Sequence, residues 1–196
     1  MKKAFTLSEM LVCIAIMGVL VSIMMTCLKA KPNTNMVMFR KAYNITANVV
    51  QEMMNSTSYY FSEELSDLGT TEVFIEGEKI DGATKFCRIF ASLVNTVETQ
   101  HCAAGTSGPS FTTTDGIDWY LPPKSGTPGT WAGQEYIQVD VNGSSTAPNC
   151  ALNTSGYEAA SCRNPDKFNI YISKEAKLSV RGTAAEYLKT SQRISR

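Results

Sequence analysis

Phe5-Thr6-Leu7-Ser8-Glu9-Met10-Leu11, directly behind Met1-Lys2-Lys3-Ala4, opens an apolar run that reaches Leu28 with Glu9 as its one charged residue. A helix over residues 5 to 28 rises about 36 Å at ~1.5 Å per residue, enough to cross a hydrocarbon core of roughly 30 Å. An ionised carboxylate at the centre of such a helix costs about 2.5 to 3.5 kcal/mol on insertion scales, and less toward an end. Glu9 therefore calls for a cationic partner, and a newly made amino group at Phe5 would supply one. An ordinary secretory signal has an apolar stretch of about 7 to 15 residues and then a small-residue cleavage site. This run is longer, and Thr26-Cys27-Leu28-Lys29-Ala30 is a poor site. Met24-Met25-Thr26 ahead of Cys27 fits a lipoprotein signal badly, and a plain anchor explains the length but not Glu9. Lys2 and Lys3 before the run and Lys29 and Lys31 after it leave its orientation undecided by charge.

Lys2-Lys3-Ala4, then Phe5-Thr6-Leu7-Ser8-Glu9 and an apolar helix, resembles the class III signal of type IV pilins and type II secretion pseudopilins. Ala4 stands where Gly is commoner, and Ser8 where Ile or Val is commoner. The resemblance implies that prepilin peptidase cuts between Ala4 and Phe5 and that the new amino group is N-methylated. It implies an assembly role for Glu9, paired with the Phe5 ammonium of a neighbouring subunit. Residues 1–4 are then a leader, 5–28 a transmembrane and assembly helix, and 29–196 a head. The resemblance places the N-terminus inside and so implies a chain that crosses a bacterial inner membrane once with its head in the periplasm and later joins a filament. Its partners would be the peptidase, other pilin or pseudopilin subunits, the inner-membrane assembly platform and the membrane.

Composition bounds the rest. Of 196 residues, about 170 lie beyond the apolar run, one modest domain by size. Lys plus Arg and Asp plus Glu number 18 each, so there is no net field and no basic stripe to recruit nucleic acid. Cys13 and Cys27 fall in the apolar helix as small apolar residues; Cys87, Cys102, Cys150 and Cys162 fall beyond it. Four cysteines allow three connectivities, and sequential pairing closes the shortest loops. Each such bridge adds about 3 kcal/mol in the chain-entropy model and implies an oxidising compartment.

Pro32-Asn33-Thr34-Asn35 predicts a kink or short break, because proline removes an amide donor and crowds the carbonyl of Leu28. Beyond it Met36, Phe39, Tyr43, Ala47, Val50 and Met54 recur at helical steps and predict an amphipathic helix. In pilin-like proteins the second half of the N-terminal helix packs on an antiparallel sheet, and this stripe suits that role. Phe86, Ile89, Phe90, Leu93, Val94 and Val97 predict a second helix from Ala83 to Glu98, with Cys87 in its first turn within reach of Cys102. Ser62-Glu63-Glu64-Leu65 reads as a short capped helical turn and Val73-Phe74-Ile75 as a strand.

From Phe111 the period changes. Phe111 to Thr114, the Asp115-Gly116 turn and Ile117 to Leu121 form a hairpin, and Pro122 to Gly133 is a Pro/Gly/Thr-rich loop. Tyr136 to Val141, Phe168 to Ile172 and Lys177 to Val180 read as strands, and the tail after Arg181 reads as polar and mobile. Strands gathered behind helices give an α+β fold: pilin-like, with a long N-terminal helix, transmembrane and then amphipathic, packed on a small antiparallel β-sheet head.

Three sets of residues carry candidate chemistry. Asp140, Asn142, Asn149 and Asp166 bring oxygens to one loop, and calcium, which takes six to eight oxygens, would suit them if a Cys150 to Cys162 bridge folds the loop back. Some type II secretion pseudopilins hold calcium in a C-terminal loop. The pattern is not an EF-hand, and plain turn chemistry accounts for the same residues with no cofactor at all. His101 beside Cys102 is the second set, but adjacent side chains point apart and Cys102 is better used in a disulfide. No phosphate loop, paired-His motif or Gly-x-Ser-x-Gly elbow appears, so the expected role is structural and not enzymatic. The third set, Trp119, Tyr120, Trp131 and Tyr136 around the Pro/Gly loop, supports the alternative reading of a signal-anchored, adhesin-like module that binds a partner or glycan there.

Overall fold

The computed structural model describes residues 7–29, 33–97, 100–152 and 155–189, with the side chains of all of these except 23–29. The chain divides into two compact units, residues 1–34 and 35–196.

The first unit is helix α1, Leu7–Lys29. Every side chain described in it, from Leu7 to Ser22, is exposed, and apolar residues lie on all its sides. Among the described residues no helix is long and apolar enough to cross a membrane. The described side chains of α1 end at Ser22, short of the roughly 20 apolar residues that a span takes. Pro32, where a break was expected, lies outside the described residues; α1 ends at Lys29 and the next helix, α2, runs over Thr34–Asn55.

In the second unit α2 is followed by a two-stranded ribbon, β1 (Val73–Ile75) against β2 (Glu78–Ile80). A 3-10 turn at Gly82–Thr84 leads into α3, Lys85–Ser92. The main sheet follows: β3 (Phe111–Thr112), β4 (Asp118–Tyr120), β5 (Glu135–Asp140), β6 (Lys167–Ile172) and β7 (Leu178–Ser179), in sequence order and antiparallel throughout. Helix α4, Gly182–Lys189, ends the described chain.

Alternation decides which sheet face is buried. Ile137 and Val139 of β5 and Phe168, Ile170 and Ile172 of β6 are fully buried on the core side. Phe39 of α2 stands on Phe168 with ring centroids 4.5 Å apart, and Phe90 of α3 stands on Trp119 at 5.5 Å. Each such ring removes apolar surface worth about 1.5 to 3 kcal/mol, so α2 and α3 are held to the sheet mainly by aromatic burial.

Several boundaries differ from the sequence reading. On α2 the buried line is Asn35, Phe39, Ala42, Thr46, Val49, Val50 and Met53, while Met36, Tyr43, Ala47 and Met54 are only half-buried. The buried face is rotated by about one residue: small Ala42 and Thr46 let the helix approach closely, and the Thr46 hydroxyl is satisfied by the Ala42 carbonyl at 2.9 Å. The long side chains flank that contact. The second helix ends at Ser92, short of the expected range to Glu98. Past it the β-branched residues take the sheet edge: Thr96 bridges Thr113, and the Val97 amide donates to the Thr112 carbonyl at 2.9 Å. Ser62 to Leu65 forms turns and no helix; Glu63 has φ of 55°, and the Leu65 amide donates to the Lys174 carbonyl. After Arg181 the chain forms α4, where Ala184 and Tyr187 are buried, contrary to the expected mobile tail. Tyr187 lies against Phe168 at 5.9 Å, and its carbonyl accepts from Arg40 Nε of α2.

Candidate functional site

Two regions bear on function, the N-terminal segment and the loop system at one end of the sheet. Ala4 and Phe5 lie outside the described residues. Glu9 sits exposed in the first turn of α1, where an acid is favoured by the amide ends of the helix.

In the head, Cys87 is bonded to Cys102 and Cys150 to Cys162, the sequential pairing. Cys13 is a free thiol. With Cys102 bonded, the His101–Cys102 pair has no nucleophilic thiol; the His101 amide donates to the Ser110 carbonyl and so helps hold the sheet edge. The aromatic set is divided. Trp119 and Trp131 are core residues, 0% and 3% exposed, with Trp131 edge-on to Phe86 at 5.1 Å. Neither indole is presented to a ligand, which removes the main support for a binding loop of exposed rings. The loop is tied down from below. Glu135, itself buried, accepts the amides of Gly129 and Trp131, each at 3.1 Å.

The four residues expected to offer oxygens to calcium behave in two ways. Asp166 is fully buried and already committed, with Oδ1 accepting the Cys150 amide at 2.7 Å and Oδ2 the Asn149 amide at 2.8 Å. Asn149 donates its side-chain amide to the Ser144 carbonyl, and Asn142 donates to the Ala147 carbonyl. These three fold the loop on its own backbone. Asp140 is different: it is fully buried and neither oxygen accepts a hydrogen bond, while Lys167 Nζ stands 3.5 Å from Oδ2. Burial first, then the charges of Asp166 and Asp118, raise its pKa above the ordinary aspartate value against the pull of Lys167. Asn142 Oδ1 is also buried without a partner. Among the described residues no group of three or more His, Cys, Asp or Glu side chains converges in a way that could hold a metal ion.

Sequence reasoning passed over Asp118, Glu135 and Lys167. Asp118 accepts from the Thr112 hydroxyl at 2.5 Å and from the Ser144 amide at 2.8 Å, joining the hairpin to the Asp140 loop. Glu135 was legible, because it shares the core-facing parity of Ile137 and Val139 in β5. A charge on that side of a strand demands local donors.

Residues 1–25 match the family model described as the prokaryotic N-terminal methylation motif. This is the prepilin signal of type IV pilins and pseudopilins. The motif implies processing by prepilin peptidase, assembly with other pilin subunits, and a membrane-anchored or filament-associated place for chains that carry it. The motif is one carried by a family of structural subunits. Neither a curated protein nor a solved structure matches the chain.

Proposed function

We propose that the protein is a structural subunit of a type II secretion pseudopilus or a type IV pilus-type filament. It is inserted once in a bacterial inner membrane with its head in the periplasm, trimmed to Phe5 and drawn by the assembly platform into a fibre through α1. The observation that carries this reading is the methylation motif at residues 1–25. The uncharged stretch from Met10 to Leu28 supports the membrane step. Two head disulfides suit an oxidising compartment.

In this reading Glu9 meets the Phe5 ammonium of the neighbouring subunit. A subunit staggered out of register leaves a charge in an apolar bundle, so the pair selects register more than it adds stability. The test is Glu9→Ala in the native host. The variant should insert and lose its leader, shown by mass spectrometry of an N-terminal peptide that begins at N-methylated Phe5, yet be depleted at least tenfold from the sheared filament fraction. Normal incorporation would remove the pairing model, and a chain still beginning at Met1 would remove the pilin pathway itself.

A further inference from the structure

β5 and β6 are paired over their full length, and the register sets Tyr136 opposite Tyr171, Gln138 opposite Asn169 and Asp140 opposite Lys167. These six residues share the sheet face away from the core, and each rung is matched in kind. The two tyrosine rings lie 5.9 Å apart, Gln138 Nε2 donates to Asn169 Oδ1 at 3.1 Å, and Lys167 Nζ stands 3.5 Å from Asp140 Oδ2. Directly opposed residues on one face are the unit of sheet stabilisation, and opposite charges there attract. The ion pair is the last rung, next to the loop that runs from Asn142 to Asp166.

A buried carboxylate that accepts no hydrogen bond needs a positive charge beside it. Two sources are available in principle, a metal ion drawn into the loop or the ammonium already in the ladder. Asp166 has given both oxygens to backbone amides, and Asn142 and Asn149 have turned their amide groups onto loop carbonyls. What remains of the four is the Asp140 carboxylate, Asn142 Oδ1 and Asn149 Oδ1, four oxygens where calcium takes six to eight. Lys167 then adds repulsion, since a divalent ion on Asp140 would sit within a few ångströms of a fixed ammonium.

We infer that in this protein Lys167 holds the position a calcium ion would otherwise fill: the cross-strand Asp140–Lys167 pair, with the Asp166 amide clamp and the Cys150–Cys162 bridge, closes the loop and leaves it independent of divalent metal. This assigns Lys167 a role in the loop that the four-oxygen pattern alone does not suggest. It concerns the head by itself and stands whether or not the chain assembles into a fibre.

The test uses the full chain in detergent micelles. Calorimetric titration with calcium chloride to 1 mM should give no saturable heat, and melting in calcium and in excess EDTA should agree within about 1 °C. Lys167→Met strands the buried carboxylate and should lower Tm by roughly 10 °C, the loss expected when one partner of a buried pair is removed in a domain of this size. Adding Asp140→Asn to that variant should restore most of the loss, because the uncompensated charge is gone. If Lys167→Met does not fold, the double variant and the calcium titration of the natural chain still decide. A saturable calcium heat that Asp140→Asn abolishes would overturn the inference. So would a double variant that melts no higher than Lys167→Met alone.

Discussion

Lys85→Met should destabilise the head by about 3 kcal/mol. The Lys85 side chain is fully buried at the start of α3. Its ammonium donates to the Asp67 carbonyl at 2.9 Å and the Thr71 carbonyl at 3.3 Å, lies 3.5 Å from Asp67 Oδ2, and sits 4.5 Å from the centre of the Tyr60 ring. Removing one member of a buried pair costs about 3 to 5 kcal/mol because the other charge is stranded. Here the low end applies. Asp67 keeps the amides of Gly69, Thr70 and Thr71 and the Thr71 hydroxyl, and methionine refills most of the volume. Burial drives Asp67 upward, but the Thr71 hydroxyl and amide, then Lys85 and Thr70, outweigh it and bring the carboxyl down to about 2 from 3.8. A carboxyl depressed in the folded state stabilises above its unfolded value. About 2 kcal/mol is therefore present above pH 4 and is lost as pH falls toward 2. Urea unfolding of the full chain in detergent, followed by the fluorescence of buried Trp119 and Trp131, measures both effects. A change below 1 kcal/mol at neutral pH for Lys85→Met would refute the view that Lys85 pins the Tyr60 to Thr71 segment to α3.

Replacing Cys150 and Cys162 by serine should cost about 3 kcal/mol, the chain-entropy value for their separation of 12 residues, with a similar loss for the Cys87–Cys102 pair at 15; denaturant midpoints with and without reductant give the comparison. Glu135→Ala leaves the amides of Gly129 and Trp131 without acceptors and should cost about 2 to 3 kcal/mol, with faster proteolysis between Pro122 and Gly133. Glu135→Gln, which keeps an acceptor oxygen, should lose about half as much; equal cleavage rates in all three proteins would count against the clamp.

The parts of the fold set by periodicity were legible. The three- and four-residue spacing of α2, the alternation of β5 and β6 and the Asp115-Gly116 turn all place elements within a few residues of where they stand. What periodicity could not settle was rotation and length. Hydrophobicity alone ranks Tyr43 and Met54 above Ala42 and Thr46 as core residues. The sheet selects the small pair because they permit the closest approach. The end of α3 and the start of α4 depend on partners distant in sequence: Thr113 draws Thr96 into the sheet edge, and Phe168 with Arg40 holds Tyr187. In the loop, counting oxygens picked out Asp140, Asn142, Asn149 and Asp166 by residue type alone. It could not see that two backbone amides had already claimed Asp166, or that strand register would set Lys167 against Asp140.

Under the proposed role a subunit drawn along a fibre is a mechanical part, and the two disulfides fix how far its head can stretch. Fully extended, the segments from Cys87 to Cys102 and from Cys150 to Cys162 would each add about 45 Å and 35 Å beyond the 5.7 and 5.9 Å that now separate their ends. With the bridges closed, none of that length is released under load. A head pulled until its sheet gives way still reaches its limit early, and in a reducing medium the same pull would carry it about 80 Å farther.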